Sequence, residues 1–237
     1  MNAPDLNNQA RLTCRTIQKF VRLDIFDRSY YFYTVRTKNK TNDQQATSFI
    51  EQARQAQIIA CVIEIIAELG YEQASLAQIG KRARISKGVI TYHFANKAEL
   101  MQAVIDDVFG QFAAFVTARV PDAEPWEVLR AFLQANADFL KAHRKELLTL
   151  FEIAHNAHDL TVQGYNPELD IELIAKLLTE GQQQGAFRDF DVRIMATSIL
   201  ALRDSLIAQA ARHADLDIDH YIQELIMLVE HAVRQHS

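Results

Sequence analysis

Apolar residues along the 237-residue chain recur at helical rather than alternating intervals. Ile58, Val62, Ile65 and Leu69 follow a 4, 3, 4 spacing, and Ile59, Ile63 and Ile66 form an adjoining stripe. A helix over 48–69 is therefore apolar around more than half its circumference and must be packed on several sides. Gly70 supplies its stop. Ser75 stands at the N-cap of a short helix over 76–83 that puts Leu76, Ile79 and Ala83 on one face. Ser86 stands at the N-cap of a second, over 87–94, after a break at Arg84-Ile85. Two short helices across a tight turn make a helix-turn-helix candidate. Asn96 caps a long helix running from Lys97 toward Arg119, where Pro121 and Pro125 punctuate its end. Five further helices are predicted over 126–143, 145–157, 168–184, 191–212 and 217–234, with Asp191 and Asp217 as N-caps and Gly185 and the 164–167 stretch as breaks.

Composition supports an all-α fold. The chain has only 7 Gly and 4 Pro, with neither between Trp126 and Gln163 nor between Ala186 and Ser237, which leaves strands without their punctuating turns. With 49% hydrophobic residues a substantial core is expected. Apolar runs such as 58–63 are cut short, here by Glu64, below the ~18 residues of a membrane span, so no transmembrane helix and no membrane partner are expected. Cys14 and Cys61 are too few for a disulfide framework or a zinc site. The first residues lack the order of a secretory signal, and the expected location is the cytoplasm.

The net charge of −5 conceals a segregation: 8 Lys and Arg against 4 Asp and Glu over 1–47, 6 against 5 over 48–100, and 11 against 21 beyond. Lys81, Arg82, Arg84, Lys87 and Lys97 fall in one stretch without an acidic residue, a local patch for a polyanion in an otherwise acidic protein. Residues 1–47, rich in Asn, Gln, Thr and Arg and holding the aromatic run Tyr30-Tyr31-Phe32-Tyr33, read as a basic, disordered extension. No methionine occurs between Met1 and Met101, so a start further downstream would need a codon read internally as another residue, such as Val35.

The run Ser75-Leu76-Ala77-Gln78-Ile79-Gly80-Lys81-Arg82-Ala83-Arg84-Ile85-Ser86-Lys87-Gly88-Val89-Ile90-Thr91-Tyr92-His93-Phe94-Ala95-Asn96-Lys97-Ala98-Glu99-Leu100 resembles the DNA-binding region of the tetracycline-repressor (TetR/AcrR) family. Glu180 to Phe187 is a weaker echo in the ligand domain. The resemblance implies a three-helix helix-turn-helix DNA-binding domain over 48–96 and a helical effector-binding and dimerisation domain over 97–237. It implies a homodimeric repressor, partnered by a double-stranded operator and released from it by a small molecule, with no enzymatic activity and no cofactor. The residues explain why such a segment suits DNA. A short helix enters the ~12 Å major groove only if its groove side is small or polar while its other side is anchored. Ile90 and Phe94 are the anchors, Lys87, Val89, Thr91, Tyr92 and His93 are left outside, and Gly88 permits close approach. Ser75, Ser86 and Lys97 lie at helix starts where phosphate oxygens can be met. The family pattern is broken at Arg84, where glycine is frequent, at Thr91, where an aromatic is frequent, and at Ala77. More of the affinity is therefore expected from Arg84.

In the acidic remainder, Met195, Ile199, Leu202 and Leu206 form one 4, 3, 4 stripe and Ile222, Leu225, Val229 and Val233 another. Spacing alone fits a dimer seam or intrachain core equally; the resemblance favours the seam. It likewise makes Trp126, Phe132, Phe139, Phe151 and His155 candidates for the effector pocket, although core packing accounts for each of them as well. Glu152-Ile-Ala-His155 matches half of a carboxylate-bridged di-iron motif, but Asp217-Ile-Asp-His220 is a poor second half, so a helical-bundle metal or ligand enzyme is the weaker reading and no metal is expected.

Overall fold

The computed structural model describes residues 42–156 and 167–234; the side chains of 42–48, Ala154, His155 and Pro167 fall outside that description. Among the described residues there are nine α-helices and no strand: α1 Asn42–Leu69, α2 Leu76–Ala83, α3 Lys87–His93, α4 Lys97–Thr117, α5 Pro125–Ala142, α6 Arg144–Asn156, α7 Pro167–Gln183, α8 Val192–Arg212 and α9 Ile218–Val233, with a 3-10 turn at Tyr71–Gln73 between α1 and α2. The caps read from the sequence carry out their role: the Ser75, Ser86 and Asp217 side chains accept from the amides of Gln78, Val89 and His220, and Asp191 accepts from Arg193 and Ile194. Asn96 Oδ1 accepts from Glu99 N at 2.9 Å while Glu99 reaches back to Ala95 N at 2.7 Å.

α1 begins six residues before the expected start, inside the segment assigned to a disordered extension. Gln44, Gln45 and Ala46 are good helix formers without an apolar stripe to announce them, and Phe49 and Ile50 beside them are exposed. The rest of the extension, residues 1–41, lies outside the described residues, as does His158.

The described residues fall into two compact units. One holds α1 to α3, α4 as far as Gln111, and α6. Its core is built from Ile58, Val62, Ile65 and Ile66 of α1, Ile79 of α2, Ile90 and Phe94, Leu100, Met101, Val104 and Val108 of α4, and Ile153 of α6. α1 is buried on several sides as its stripes require, except that Leu69 ends half exposed. Thr149 of α6 donates to the Ile63 carbonyl at 3.3 Å.

The second unit holds the end of α4 from Phe112, α5, α7, α8 and α9. α8 lies against α5, α7 and α9, and α5 against α7 and α9. Arg203 of α8 is buried between Asp170 at 3.1 Å and Asp204 at 2.8 Å. By length and composition alone α8 could cross a membrane, which departs from the sequence expectation; its buried, doubly paired arginine and its packing against three helices mark it as a core element of this unit. α7 closes on Gly181, whose carbonyl accepts from Ala186 N and Phe187 N. The Phe187 ring lies where a side chain at 181 would stand, with Cδ2 2.0 Å from an ideal Cβ.

This unit corrects the seam reading of the last two helices. Ile199, Leu206, Ile222, Leu225, Val229 and Val233 are buried within the single chain, and Met195 and Leu202 are half buried. A 4, 3, 4 spacing marks a face that will be buried without saying what buries it. Here it is the unit's own core. The apolar side chains left in water on α8 and α9 are Ile194, Met227 and Leu228, on the opposite face.

Candidate nucleic-acid interface

α2 and α3 are locked into a helix-turn-helix by three contacts that the sequence provides. Gly80 of α2 meets the turn so closely that a Cβ there would sit 2.9 Å from the Ile85 carbonyl oxygen. Ile85 N in turn donates to Gly80 O at 2.9 Å. Arg84 makes the turn in the left-handed region, φ 54° and ψ 43°, and is the one non-glycine residue with positive φ among the described residues. Ile90 of α3, fully buried, and Phe94 anchor the second helix in the core. The two anchors are thus where the sequence places them, and Lys87, Thr91 and Tyr92 of α3 are exposed.

The basic patch is smaller in the folded chain than in the sequence. Arg82 turns back onto α1, pairing with Glu64 at 3.2 Å and Glu68 at 2.6 Å. The hydrogen bond from Arg82 holds the Glu68 carboxyl below its usual range, and the two glutamates raise the guanidinium further above its own. Gln57 of α1 adds a hydrogen bond to the Ala83 carbonyl at 3.3 Å, so the end of α2 is tethered to α1. Lys97 places its ammonium 4.0 Å above the Tyr71 ring and donates to the Tyr71 carbonyl at 3.4 Å. Lys81, Arg84 and Lys87 remain exposed, with no ion pair among the described residues, around the turn and the start of α3.

The other side chains expected at DNA are arranged unequally. Ser75 and Ser86 are exposed and accept from amides at 3.2 and 3.3 Å, so each hydroxyl keeps its hydrogen for a phosphate oxygen. Thr91 is exposed, but its hydroxyl is turned to the Lys87 and Gly88 carbonyls at 3.2 and 3.1 Å, which leaves its methyl group outward. Val89 and His93 are half buried, and His93 stands edge-on to the Tyr92 ring at 5.0 Å. Tyr92 is 73% exposed, and its hydroxyl donates to Glu51 of α1 at 3.1 Å. The Glu51 carboxylate raises the phenol's affinity for its proton. Sequence reasoning did not include Glu51: it lies 41 residues away, and only folding brings it beside α3. Gly88 is exposed and helical, and a Cβ there would meet only Ser86 Oγ at 3.7 Å, an ordinary contact. Nothing among the described residues requires glycine at this position.

The candidate effector residues divide between the units. Phe132 and Phe139 share a face of α5, Phe139 fully buried and Phe132 half buried. Trp126 is buried on another side of α5, with the Arg234 guanidinium 5.6 Å from its ring. Phe151, half buried, belongs to α6 in the first unit; the His155 side chain lies outside the description. Among the described residues no three His, Cys, Asp or Glu side chains come together as metal ligands. The Glu152 carboxylate instead accepts from Asn156 at 3.2 Å.

Comparison with known proteins accords with this geometry. The family described as bacterial regulatory proteins, tetR family, matches residues 58–104, from the middle of α1 through α2 and α3 into α4. The fatty acid metabolism regulator protein of Bacillus subtilis (strain 168) is 26% identical over 160 residues, covering 64% of this chain and 80% of that one. In fold, the chain is similar to the fatty acid degradation regulator FadR from Bacillus halodurans, with a TM-score of 0.66 at 22% identity over 84% of this chain and all of that one. It is also similar to AibR, solved with isovaleryl coenzyme A and operator DNA, with a TM-score of 0.59 at 22% identity over 74% of this chain and 97% of that one. The helix-turn-helix is thus built from the residues that carry the family's motif, and residues 58–104 of the chain belong to the TetR family of DNA-binding transcriptional regulators.

Proposed function

We propose that this regulator is a cytoplasmic homodimeric repressor that holds a palindromic operator with two copies of α3 and releases it when a small molecule binds the helical remainder. Residues 48–96 form the DNA-binding domain and 97–237 the effector-binding and dimerisation domain. The observation that carries the reading is the α2-turn-α3 surface: three exposed cations, Lys81, Arg84 and Lys87, surround a glycine that the chain itself does not need. A helical glycine costs about 1 kcal/mol against alanine, and close approach of a partner's backbone gives that cost a reason. Two recognition helices must be held ~34 Å apart to read successive major grooves. The exposed Ile194, Met227 and Leu228 on the last two helices are the surface on which a second subunit would pack. A ligand as partner is supported by AibR, solved with both an acyl coenzyme A and operator DNA.

The deciding experiment is nuclease protection of the DNA upstream of the gene and its neighbours by the purified protein. A protected palindrome with half-sites about one turn apart, lost in Lys87→Ala, is expected. Protection unaffected by Lys87→Ala and Arg84→Ala together would remove α3 from the interface.

A further inference from the structure

Asn136 is 5% exposed on α5, four residues after Phe132 and three before Phe139, so the three share a face. Its Nδ2 donates to the Phe132 carbonyl at 2.7 Å, and its Oδ1 is buried with no hydrogen-bond partner. Thr149 and Arg203 are satisfied, by the Ile63 carbonyl and by Asp170 and Asp204, and the other buried oxygen without a partner among the described residues is Thr117 Oγ1, on a half-buried side chain at the end of α4. A buried amide oxygen left unmet is a destabilising feature, and a leucine of similar shape would fill the same place without it.

The surroundings are aromatic and partly open. Phe139 stands edge-on to Phe112 at 5.2 Å and to Phe115 at 5.3 Å, both from the end of α4. Phe112, Phe115 and Phe132 are only half buried, so the aromatic stripe is partly exposed beside an acceptor that is itself closed to solvent. Apolar lining with a few unmet polar atoms is the usual make-up of a small-molecule site. We infer that Asn136 Oδ1 is the polar contact of the effector site, and that the effector is a neutral, largely apolar molecule bearing one hydroxyl or N–H donor. The inference rests on the ligand-released reading above and names the chemistry of its ligand.

The charges support a neutral ligand. Arg203, the buried cation of this unit, already faces two carboxylates. Arg119 lies over the Phe115 ring at 3.3 Å and donates to the Phe115 carbonyl, but it is exposed. A carboxylate ligand would be drawn to Arg119 and leave the Asn136 acceptor unmet, because an ionised carboxylate has no hydrogen to donate.

The test is calorimetric titration of the full chain, without DNA, with 1-octanol, 1-methoxyoctane and octanoate, repeated with benzyl alcohol and its methyl ether. The alcohols are expected to bind wild type about fivefold tighter than the ethers, the worth of one neutral hydrogen bond, and tighter than octanoate. In Asn136→Leu the alcohol and ether should bind alike, with melting temperature unlowered and operator binding intact. Equal binding of alcohol and ether to wild type, as an Oδ1 occupied by water alone would give, overturns the inference. So does octanoate matching octanol, no binding by either alcohol, or a preference that survives Asn136→Leu. Release of operator DNA is scored separately: binding with the stated preference but no release would fault the repressor reading and leave the ligand chemistry standing.

Discussion

Arg84 holds a left-handed conformation that its side chain disfavours, φ 54° and ψ 43°, at the turn between α2 and α3. That conformation costs an L-residue ~1–2 kcal/mol, and glycine, free of the cost, gives back ~0.5–1 kcal/mol through its greater freedom in the unfolded chain. Arg84→Gly should therefore stabilise the protein by ~0.5–1 kcal/mol, which in a chain of this size raises the melting temperature by ~1–4 °C. The same change removes one of the three exposed cations beside α3. If Arg84 meets a phosphate, the slope of log affinity against log salt should fall by about 0.9 per subunit. Arg84→Ala separates the two effects, since it deletes the charge but keeps the strained backbone. Calorimetric melting of the three proteins, beside operator titrations at several salt concentrations, should show Gly melting above Ala by the equivalent of the same ~0.5–1 kcal/mol while both lose affinity equally. A glycine variant that melts no higher than the alanine variant would refute the strain argument. A salt slope unchanged in both would take Arg84 out of the interface.

The remaining expectations follow from contacts described above. Gly181→Ala places a Cβ against the Phe187 ring, 2 % exposed, and should lower the melting temperature by at least ~2 °C; a rise would show that the ring yields. Val229→Asp buries an unpaired carboxylate in the chain's own core and should lose helicity by circular dichroism. Leu228→Asp, at a side chain 57% exposed, should stay folded and sediment as a monomer; a folded Val229→Asp or a dimeric Leu228→Asp contradicts the assignment of faces. Lys87→Ala should lower the salt slope by ~0.9 per subunit with stability unchanged. Lys97→Ala should also melt lower, by ~0.5–1 kcal/mol, because its ammonium is stacked on Tyr71; equal melting of the two variants would show the stacking to be without effect.

Local chemistry was legible in the sequence because caps and stops act within a few residues. Ser75, Ser86, Asn96, Asp191 and Asp217 each mark a helix start, and the observed ends mostly lie within two residues of the expected ones. Distant pairing was not legible. Arg82 belongs to the basic patch by position but is neutralised from α1 by Glu64 and Glu68, 18 and 14 residues away. The same applies to Tyr92 and Glu51. Periodicity showed that Val229 and Leu206 would be buried but could not distinguish a partner from the chain itself. Asn136 was overlooked, although a polar residue between Phe132 and Phe139 on one face of an apolar helix was a readable signal.

Gly88 sets stability against use. Alanine there would meet no obstacle in the free protein and would favour the helix by up to ~1 kcal/mol. A selection for heat resistance would therefore accept Gly88→Ala readily. If the backbone at 88 is where DNA comes closest, the added methyl group would exclude it, and the sturdier protein would be blind to its operator. A library screened for melting temperature alone would drift toward regulators that no longer regulate, and this one position would show it first.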